Sequence, residues 1–332
     1  MRPVPRHEQG AALINVLVLV GVLAALSTTL FDRLRLARHL DASRSLASAA
    51  HGAALAAETL LLARLASPEP LPAKPLSLAT PAGPVTVAVA PGGNCFNLNS
   101  LSIGPAGRGI TRPLGVEQLA RLLALIDVPQ DEARRIAAAT ADWIDADSQP
   151  GAGGAEDPAY ARAAIPHRTS GTWMADVAEF QAVAGVTPAI FARARPLLCA
   201  LPEAELSRPN INSLAAADAP LLAAIAGVEL ATARAVIAAR PAAGWASAAD
   251  FWGQPLLSGR SLAADVLRQA GTRDHYVGFR LAAGPAALPL VETGLIAVGG
   301  GDGGGDSGGD GGGDGAAKRQ ARLIARRWGE AA

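Results

Sequence analysis

Hydrophobic positions divide this chain into one continuous apolar run near the N-terminus and a longer part in which apolar and polar residues alternate. Residues 11–31 contain no ionised side chain, and their number is close to the roughly 20 residues that an α-helix needs to cross a bilayer core. Helical periodicity continues to about Leu65, until the proline-rich segment 67–72 ends it, because proline cannot continue a helix. The pattern predicts one long helix that spans a membrane and projects well beyond it.

Strand-like segments lie on both sides of a helical middle. Val85–Val89 is a β-rich run bounded by prolines, and residues 276–281 alternate as a strand. Residues 288–298 suggest another strand, and residues 95–99 are a short strand or a strand end. These segments predict an α+β fold in which the long N-terminal helix packs on a small antiparallel sheet, with a large all-helical domain inserted between the strands.

The helical middle contains two kinds of helical unit. Residues 114–144 have the periodicity of two helices. A helix, a tight glycine turn and a second helix then occur twice, around Gly185 and around Gly227. This recurrence indicates a small module built from repeated helical hairpins.

Charge and cysteine content narrow the functional classes. The 29 basic residues balance the 29 acidic residues, so no overall electrostatic field attracts nucleic acid. The chain has two cysteines, Cys95 and Cys199. An even pair that follows an export anchor is more often a disulfide than a metal or catalytic pair, and the sequence therefore predicts a Cys95–Cys199 disulfide.

A dense acidic group lies where the second helix of the middle ends. Asp145 and Asp147 alternate as the chain enters a Pro/Gly loop, and Glu156 and Asp157 return from that loop. Carboxylates spaced in this way supply the several oxygen ligands that calcium needs, although the spacing is not that of an EF-hand, and magnesium prefers more water. The sequence predicts a calcium site at these four residues; the alternative is a solvated acidic loop with Asp147 as a turn residue.

The chain shows no recognisable catalytic set in its sequence. Its five histidines are scattered without ligand spacing, and it contains no Gly-x-Ser-x-Gly elbow. We therefore interpret the protein as structural rather than as an enzyme; the alternative of a periplasmic enzyme lacks a nucleophile and base.

The C-terminal end has two segments of unusual composition. Residues 299–315 combine glycine with an aspartate every four residues but lack the hydrophobic position of calcium-binding nonapeptide repeats. They predict a flexible tether. Residues 318–328 form a basic, weakly amphipathic tail, which either docks on an acidic or lipid surface or is a solubilising end, the interpretation we prefer.

Several short motifs together resemble one family, the minor pseudopilin K of type II secretion systems. The resemblance extends from about Gln9 to Val298. It depends on Gly10 immediately before the apolar run, Phe96–Asn99, Asp142–Asp147, Gly154–Asp157 and Asn210–Asn212.

The resemblance implies a maturation and an assembly. It implies cleavage after Gly10 by prepilin peptidase, N-methylation of Ala11 and calcium at some of Asp145, Asp147, Glu156 and Asp157. Asn15 is the fifth mature residue, where other pilins have glutamate and this family typically does not. The implied partners are the minor pseudopilins I and J, the major pseudopilin and the inner-membrane assembly platform. The implied location is the tip of the pseudopilus, with a single pass through the inner membrane and the bulk of the chain in the periplasm.

Pattern and resemblance together divide the chain into six segments. They are a prepilin leader (1–10), the transmembrane and amphipathic helix (11–66), a pilin-like β part (67–110), the inserted helical domain (111–255), a C-terminal β part (256–298) and the Gly/Asp linker with the basic tail (299–332).

A different function remains as the alternative, a membrane-anchored periplasmic helix-hairpin-helix protein that binds DNA. The turns at Gly185 and Gly227 resemble such modules, which contact the DNA backbone. DNA-binding versions place basic residues beside the turn to neutralise phosphate. Here Thr187 and Pro188 follow the first turn and Glu229 follows the second. We therefore favour a structural role for the hairpins and expect no nucleic-acid partner.

Overall fold

A computed structural model describes residues 6–67, 71–72, 74–285, 289–300 and 319–329. Its helices are α1 (Arg6–Leu65), α2 (Pro113–Leu125), α3 (Gln130–Ile144), α4 (Asp157–Tyr160), α5 (Pro188–Ala194), α6 (Ala219–Ala226), α7 (Leu230–Ala238), α8 (Ala248–Trp252) and α9 (Ala264–Leu267). Its strands are β1 (Leu76–Thr80), β2 (Gly83–Pro91), β3 (Phe96–Asn97), β4 (Ser102–Ile103), β5 (Ile110–Thr111), β6 (Leu198–Cys199), β7 (Tyr276–Ala283), β8 (Leu290–Gly300) and β9 (Arg319–Trp328).

Helix α1 has two parts. Its N-terminal part is apolar enough to anchor the protein in a membrane, and the part that continues beyond the membrane run and packs on the sheet is called the stalk below. Among the described residues, one helical stretch, Leu13–Leu65, is long and apolar enough to cross a membrane, with a mean hydropathy of 2.3 in its most apolar window. The apolar side chains of its first half are exposed. In the second half one face is buried, and alanines there bring the helix close to the sheet. The helix therefore provides a single-pass anchor that continues into the folded part.

The main sheet has the strand order β1-β2-β7-β8-β9, and every neighbouring pair is antiparallel. Strands β2 and β7 pair directly, with Pro91 opposite Val277, although residues 92–275 separate them in the chain. Their inward side chains Val87, Val277 and Leu281 pack on α1. This arrangement confirms the predicted fold class: a long helix on an antiparallel sheet, with a helical domain inserted between two strands.

The limits of the inserted domain differ from those predicted. Leu257, Val266 and Ala270 lie in its hydrophobic core, so residues 256–275 belong to the insertion and not to the C-terminal β part. Short strands β3 to β6 also lie within the insertion and form two-stranded pairs there. We therefore assign these segments to the insertion because of where they lie in the fold, and not because of their local strand or helix pattern.

The basic C-terminal segment is a strand of the main sheet and not a free tail. Strand β9 pairs with β8 from Glu292 opposite Trp328 to Gly300 opposite Arg319. Ala321, Leu323 and Trp328 pack against the core formed by α1 and the sheet. Burial alternates along the strand from Arg319 to Leu323, and a register shift at Leu295/Ile296 of β8 then interrupts the two-residue period. Residues 301–318, which include most of the predicted Gly/Asp tether, lie outside the described residues.

A cluster of charges is buried where α1, β8 and β9 meet. Glu58 of α1 and Glu292 of β8 are buried, and Arg326 of β9 contacts both. Burial raises the pKa of Glu292 to about 7; Glu58 also raises it, and Arg326 lowers it. Because the folded state then binds more protons than the unfolded state between about pH 4.5 and 7, this residue makes the protein less stable as the pH rises through that range.

We expect the variant Glu292→Gln to flatten the pH dependence of stability. Between pH 5 and pH 8 the parent should lose on the order of 1–2 kcal/mol more unfolding free energy than the variant, because only the parent has to ionise this buried carboxyl group. Urea denaturation at both pH values, with a chelator present throughout, measures the difference. Parallel pH profiles for the two proteins would contradict the prediction.

The core of the inserted domain forms around the α2–α3 hairpin, with α6 packed on α2. Leu119, Leu122 and Ile136 are fully buried in it. At Gly115 the helix approaches another chain segment closely, because a Cβ there would lie 2.7 Å from the backbone oxygen of Ser100. Glycine at this position therefore allows α2 to contact the segment that follows β3.

We expect Gly115→Ala to destabilise the protein by about 1–3 kcal/mol, because the added methyl group meets backbone that cannot move aside freely. Gly52→Ala is the matched control, since a Cβ at Gly52 meets no atom within 4 Å and alanine favours helix. Thermal unfolding of the two variants beside the parent measures the effect. Equal melting of Gly115→Ala and the parent would contradict the close approach.

Candidate metal centre

The acidic group lies at the C-terminal end of α3 and in the loop that leads to α4. Asp145 is the residue after α3, Asp147 follows in the turn, and Glu156 directly precedes α4. A carboxylate oxygen from each of these three residues lies within 4.8 Å of the others. Asp145 and Glu156 are each 3% exposed, whereas Asp147 is exposed. The group therefore has two buried carboxyl groups and one that is open to solvent.

Two of the buried oxygens have no hydrogen-bond partner. Asp145 Oδ2 accepts a hydrogen bond from Thr111 Oγ1 at 2.7 Å, but Asp145 Oδ1 has no partner. Glu156 Oε1 also lacks one. An unpaired buried carboxylate oxygen is costly, and a positive partner would remove that cost. The donor set of carboxylate oxygens fits a hard divalent cation.

The pKa values of the acidic group show that its ionised form is disfavoured without a positive partner. Burial, together with the nearby charges of Asp142 and Asp145, raises the pKa of Glu156 to about 7. Burial also raises the pKa of Asp145, against the hydrogen bond from Thr111, which lowers it. A cation between these groups would offset the mutual repulsion of the carboxylates.

Asp142 supports the loop from behind the group. Its carboxylate accepts a hydrogen bond from Gly151 N at 3.1 Å, and it is buried. A Cβ on Gly154 would lie 2.7 Å from Asp142 Cγ, so glycine is required where the loop crosses this side chain. Asp142 is not among the site residues predicted from the sequence, although its position one helical turn before Asp145 was a usable signal.

Asp157 does not join the group, although it was predicted to. Its Oδ1 accepts hydrogen bonds from Thr169 N at 2.9 Å and Thr169 Oγ1 at 3.0 Å. Arg168 Nε lies 3.9 Å from its other oxygen. As the first residue of α4, Asp157 therefore holds the following loop through Thr169.

An aromatic cluster holds the same loop on the helix. The ring of Trp143 lies 5.2 Å from that of Tyr160 in an edge-on arrangement, and His167 lies 5.0 Å from Tyr160. Tyr160 Oη accepts a hydrogen bond from Ala184 N at 3.2 Å. These rings, which the sequence did not mark as functional, keep Glu156 beside the end of α3.

The predicted cysteine pair lies at the start of the inserted domain. Cys95 and Cys199 form a disulfide next to the parallel pair β3–β6. The buried amide of Asn97 donates to Glu203 O at 2.8 Å, and that of Asn99 donates to Leu201 O at 2.8 Å. The Phe96–Asn99 motif therefore ties the segment after Cys199 to the start of the insertion.

The two glycine turns are used for packing. Gly185 and Gly227 have φ values of +87° and +63°. A Cβ on Gly185 would lie 3.0 Å from Ile136 Cγ1, and the carbonyl oxygen of Gly227 accepts a hydrogen bond from Arg260 Nη1 at 3.1 Å. These contacts favour a structural role. The predicted processing residues Gly10 and Ala11 lie within α1.

Comparison with known proteins gives one consistent result. Two family models described as "Type II secretion system (T2SS), protein K" match residues 94–203 and 209–272. Type II secretion system protein K of Pectobacterium carotovorum is 33% identical over 73% of this chain and 78% of its own length. The protein K of Pseudomonas aeruginosa is 30% identical over 87% of this chain and 89% of its own length. None of these matches supports the DNA-binding alternative.

A solved structure has the same fold. A chain in the crystal structure of the GspK-GspI-GspJ complex from enterotoxigenic Escherichia coli superposes with a TM-score of 0.67 at 24% identity. The alignment covers 90% of this chain and 100% of that chain. The likeness supports the architecture of a stalk helix, a sheet and an inserted helical domain.

Proposed function

Since the chain belongs to the type II secretion system protein K family, a family of minor pseudopilins, we propose that it caps the tip of a pseudopilus. The observation that carries this proposal is the size and place of the insertion. Residues 92–275 form a domain between two directly paired strands, and a domain of that size leaves no room for a further subunit above it. Such a subunit can begin or end a filament but cannot occupy its middle.

A subunit at the tip also needs contacts with the subunits beside and below it, and the stalk is the part of the chain that can provide them. Beyond the membrane run, Leu34, Leu36, Leu40 and Leu46 of α1 remain exposed. Exposed apolar side chains on a helix that has left the bilayer need a partner surface. We propose that neighbouring pseudopilin helices cover them, with the minor pseudopilins I and J as the direct partners and the major pseudopilin below. The likeness to a chain in a GspK-GspI-GspJ complex supports this assignment.

The proposed route to the filament passes through the inner membrane. Prepilin peptidase cuts after Gly10, Ala11 is methylated, and the anchor leaves the bulk of the chain in the periplasm until the assembly platform recruits it. Asn15 in the membrane run fits a subunit that offers no carboxylate to a subunit ahead of it, since an unpaired charge inside the bilayer is costly.

We expect the mature protein to begin at a methylated Ala11. Intact mass and N-terminal sequencing of the protein from membranes with active prepilin peptidase measure this, with membranes lacking the peptidase as the control. A retained leader in the presence of active peptidase would contradict the pilin-type route.

Replacing residues 92–275 by a short turn tests the cap itself. Pro91 and Val277 are already register partners, so a tight turn can join β2 to β7 without moving the sheet. If the insertion caps the filament, cells that carry this variant should form longer or unterminated pseudopili. Unchanged pseudopilus length at equal expression, with the parent chain as the control, would overturn the proposal.

We also propose that Asp145, Asp147 and Glu156 hold calcium, which the unpaired buried oxygens of Asp145 and Glu156 support. Bound there, the ion would supply positive charge that joins the end of α3 to the start of α4. Its role would be to stiffen the insertion, with no part in a reaction.

A further inference from the structure

The C-terminal strand makes contacts with three other parts of the molecule. It completes the main sheet beside β8, and the hydrogen bond from Gly329 N to Val291 O at 2.9 Å continues the pairing. Along its length it also contacts the stalk helix, and at one residue it contacts the inserted domain. A strand that only closed a sheet edge would not need these additional contacts.

The contacts to the stalk are spread along α1. Arg326 donates to both carboxylate oxygens of Glu58, at 2.7 Å from Nη2 to Oε1 and 2.9 Å from Nε to Oε2. Its Nε also lies 3.2 Å from Oε1 of the fully buried Glu292. One guanidinium group thus contacts two buried carboxyl groups from two different elements, an arrangement in which removal of the cation is far more costly than loss of a surface pair.

Two further contacts, one near each end of β9, also attach this strand to the stalk. Trp328 stacks on His51 with ring centroids 4.3 Å apart. At the other end of the strand Arg319 Nη1 donates to the carbonyl oxygen of Ser67 at 3.3 Å. Strand β9 therefore follows the stalk helix from its last residues back by about four turns.

The contact to the inserted domain is an ion pair between Arg327 and Asp176. Asp176 caps a short 3-10 helix, Val177–Ala182, in the insertion. The chain itself enters and leaves the insertion beside Tyr276, which is opposite Ala297 of β8, whereas Arg327 is opposite Thr293. Four residues of strand separate these two levels, about 13 Å.

We propose that β9 is a brace that holds the inserted domain at a fixed angle to the stalk. Arg326 locks the strand onto the stalk, and Arg327 gives the insertion a second point of attachment away from its chain crossings. One attachment level acts as a hinge, and a second level about 13 Å away resists rotation about it. This inference is independent of the tip function, since it concerns the rigidity of the subunit alone.

The lock is tested first with Arg326→Gln in the full-length protein in detergent. We expect the melting temperature to fall by on the order of 10 °C and the amides of β9 to lose protection from hydrogen exchange. Arg322→Gln is the matched control, because Arg322 lies on the same strand, opposite Ala297 of β8, whereas Arg326 is the arginine that contacts Glu58 and Glu292. An Arg326→Gln protein that melts with the parent would overturn the lock.

A rescue experiment distinguishes whether Arg326 stabilises the protein by its charge or by its packing. Adding Glu58→Gln and Glu292→Gln to Arg326→Gln removes the uncompensated carboxyl groups, and this triple variant should recover at least half of the lost melting temperature. Arg326→Lys, which keeps the charge but not the paired geometry, should melt between Arg326→Gln and the parent. A triple variant that is less stable than Arg326→Gln would show that the cluster is not an electrostatic lock.

The brace is tested with Arg327→Gln, which leaves the buried cluster intact. Nitroxide labels at Ser45→Cys on the stalk and Ala235→Cys on the insertion, both exposed positions, report the angle between the two parts as a distance distribution. We expect Arg327→Gln to broaden that distribution at least twofold with little change in melting temperature, and Arg322→Gln to leave it unchanged. Equal widths for Arg327→Gln and the parent would overturn the brace.

Discussion

Replacing both Cys95 and Cys199 by serine is expected to lower the free energy of unfolding by about 2–5 kcal/mol. The disulfide joins residues separated by 104 positions, and a cross-link over a long loop removes much of the freedom of the unfolded chain. It also lies beside the buried amides of Asn97 and Asn99, which connect the same two segments. Loss of the bond should therefore loosen the junction of the insertion with the sheet.

Guanidinium denaturation of the variant beside the oxidised parent measures this loss. The parent treated with a reductant is the matched control, since it should lose the same amount without any change of sequence. Neither cysteine belongs to the acidic group of Asp145, Asp147 and Glu156, so the variant should keep any response to calcium. Equal midpoints for the oxidised parent and the variant would contradict the prediction.

Adding calcium is expected to raise the melting temperature of the parent by about 5–10 °C at 100 times the dissociation constant. At that ratio a ligand that binds only the folded state contributes about 2.7 kcal/mol, and each kcal/mol shifts the melting of a chain of this size by about 2–4 °C. The variant Asp145→Asn with Asp147→Asn should lose this increase, because it removes two of the three grouped carboxylates.

Asp157→Asn provides the control for this experiment. Its carboxylate is occupied by Thr169, so the variant should keep the calcium response even if its basal stability changes. Thermal scans with calcium, with magnesium and with a chelator separate the ion from general screening. Identical melting of the parent with and without calcium would contradict the site, and an equal loss in Asp157→Asn would contradict the grouping.

Patterns that act over a few residues were readable from the sequence. The apolar run and its helical continuation predicted α1, and β-branched alternation predicted the strands at Val85–Val89 and 276–281. Strand β1 was missed because its five residues lie close behind prolines. Strand β9 was misread because its arginines suggested a solvated tail, whereas Arg326 is drawn inward by Glu58, a residue 268 positions away.

The acidic group shows the same limit on a smaller scale. Residue types and spacing were enough to select Asp145, Asp147 and Glu156. They could not exclude Asp157, since its use depends on Thr169, which reaches it only through the path of the loop. The support given by Asp142 depends likewise on where Gly151 and Gly154 cross α3. The sequence shows which carboxylates lie near one another in the chain, but the tertiary packing determines which hydrogen-bond donors each carboxylate contacts.

The direct pairing of β2 with β7 also sets an order of folding during export. The sheet can form only after residue 276 has crossed the membrane. The reason is that β7, the strand that pairs with β2, follows the whole insertion in the chain. Folding of the insertion brings its two ends together, which removes most of the entropy cost of closing so long a loop. Until then the alanine-lined face of the stalk is uncovered. A chain arrested before β7 therefore presents an open strand edge and a bare apolar helix face to any chaperone or protease that it meets.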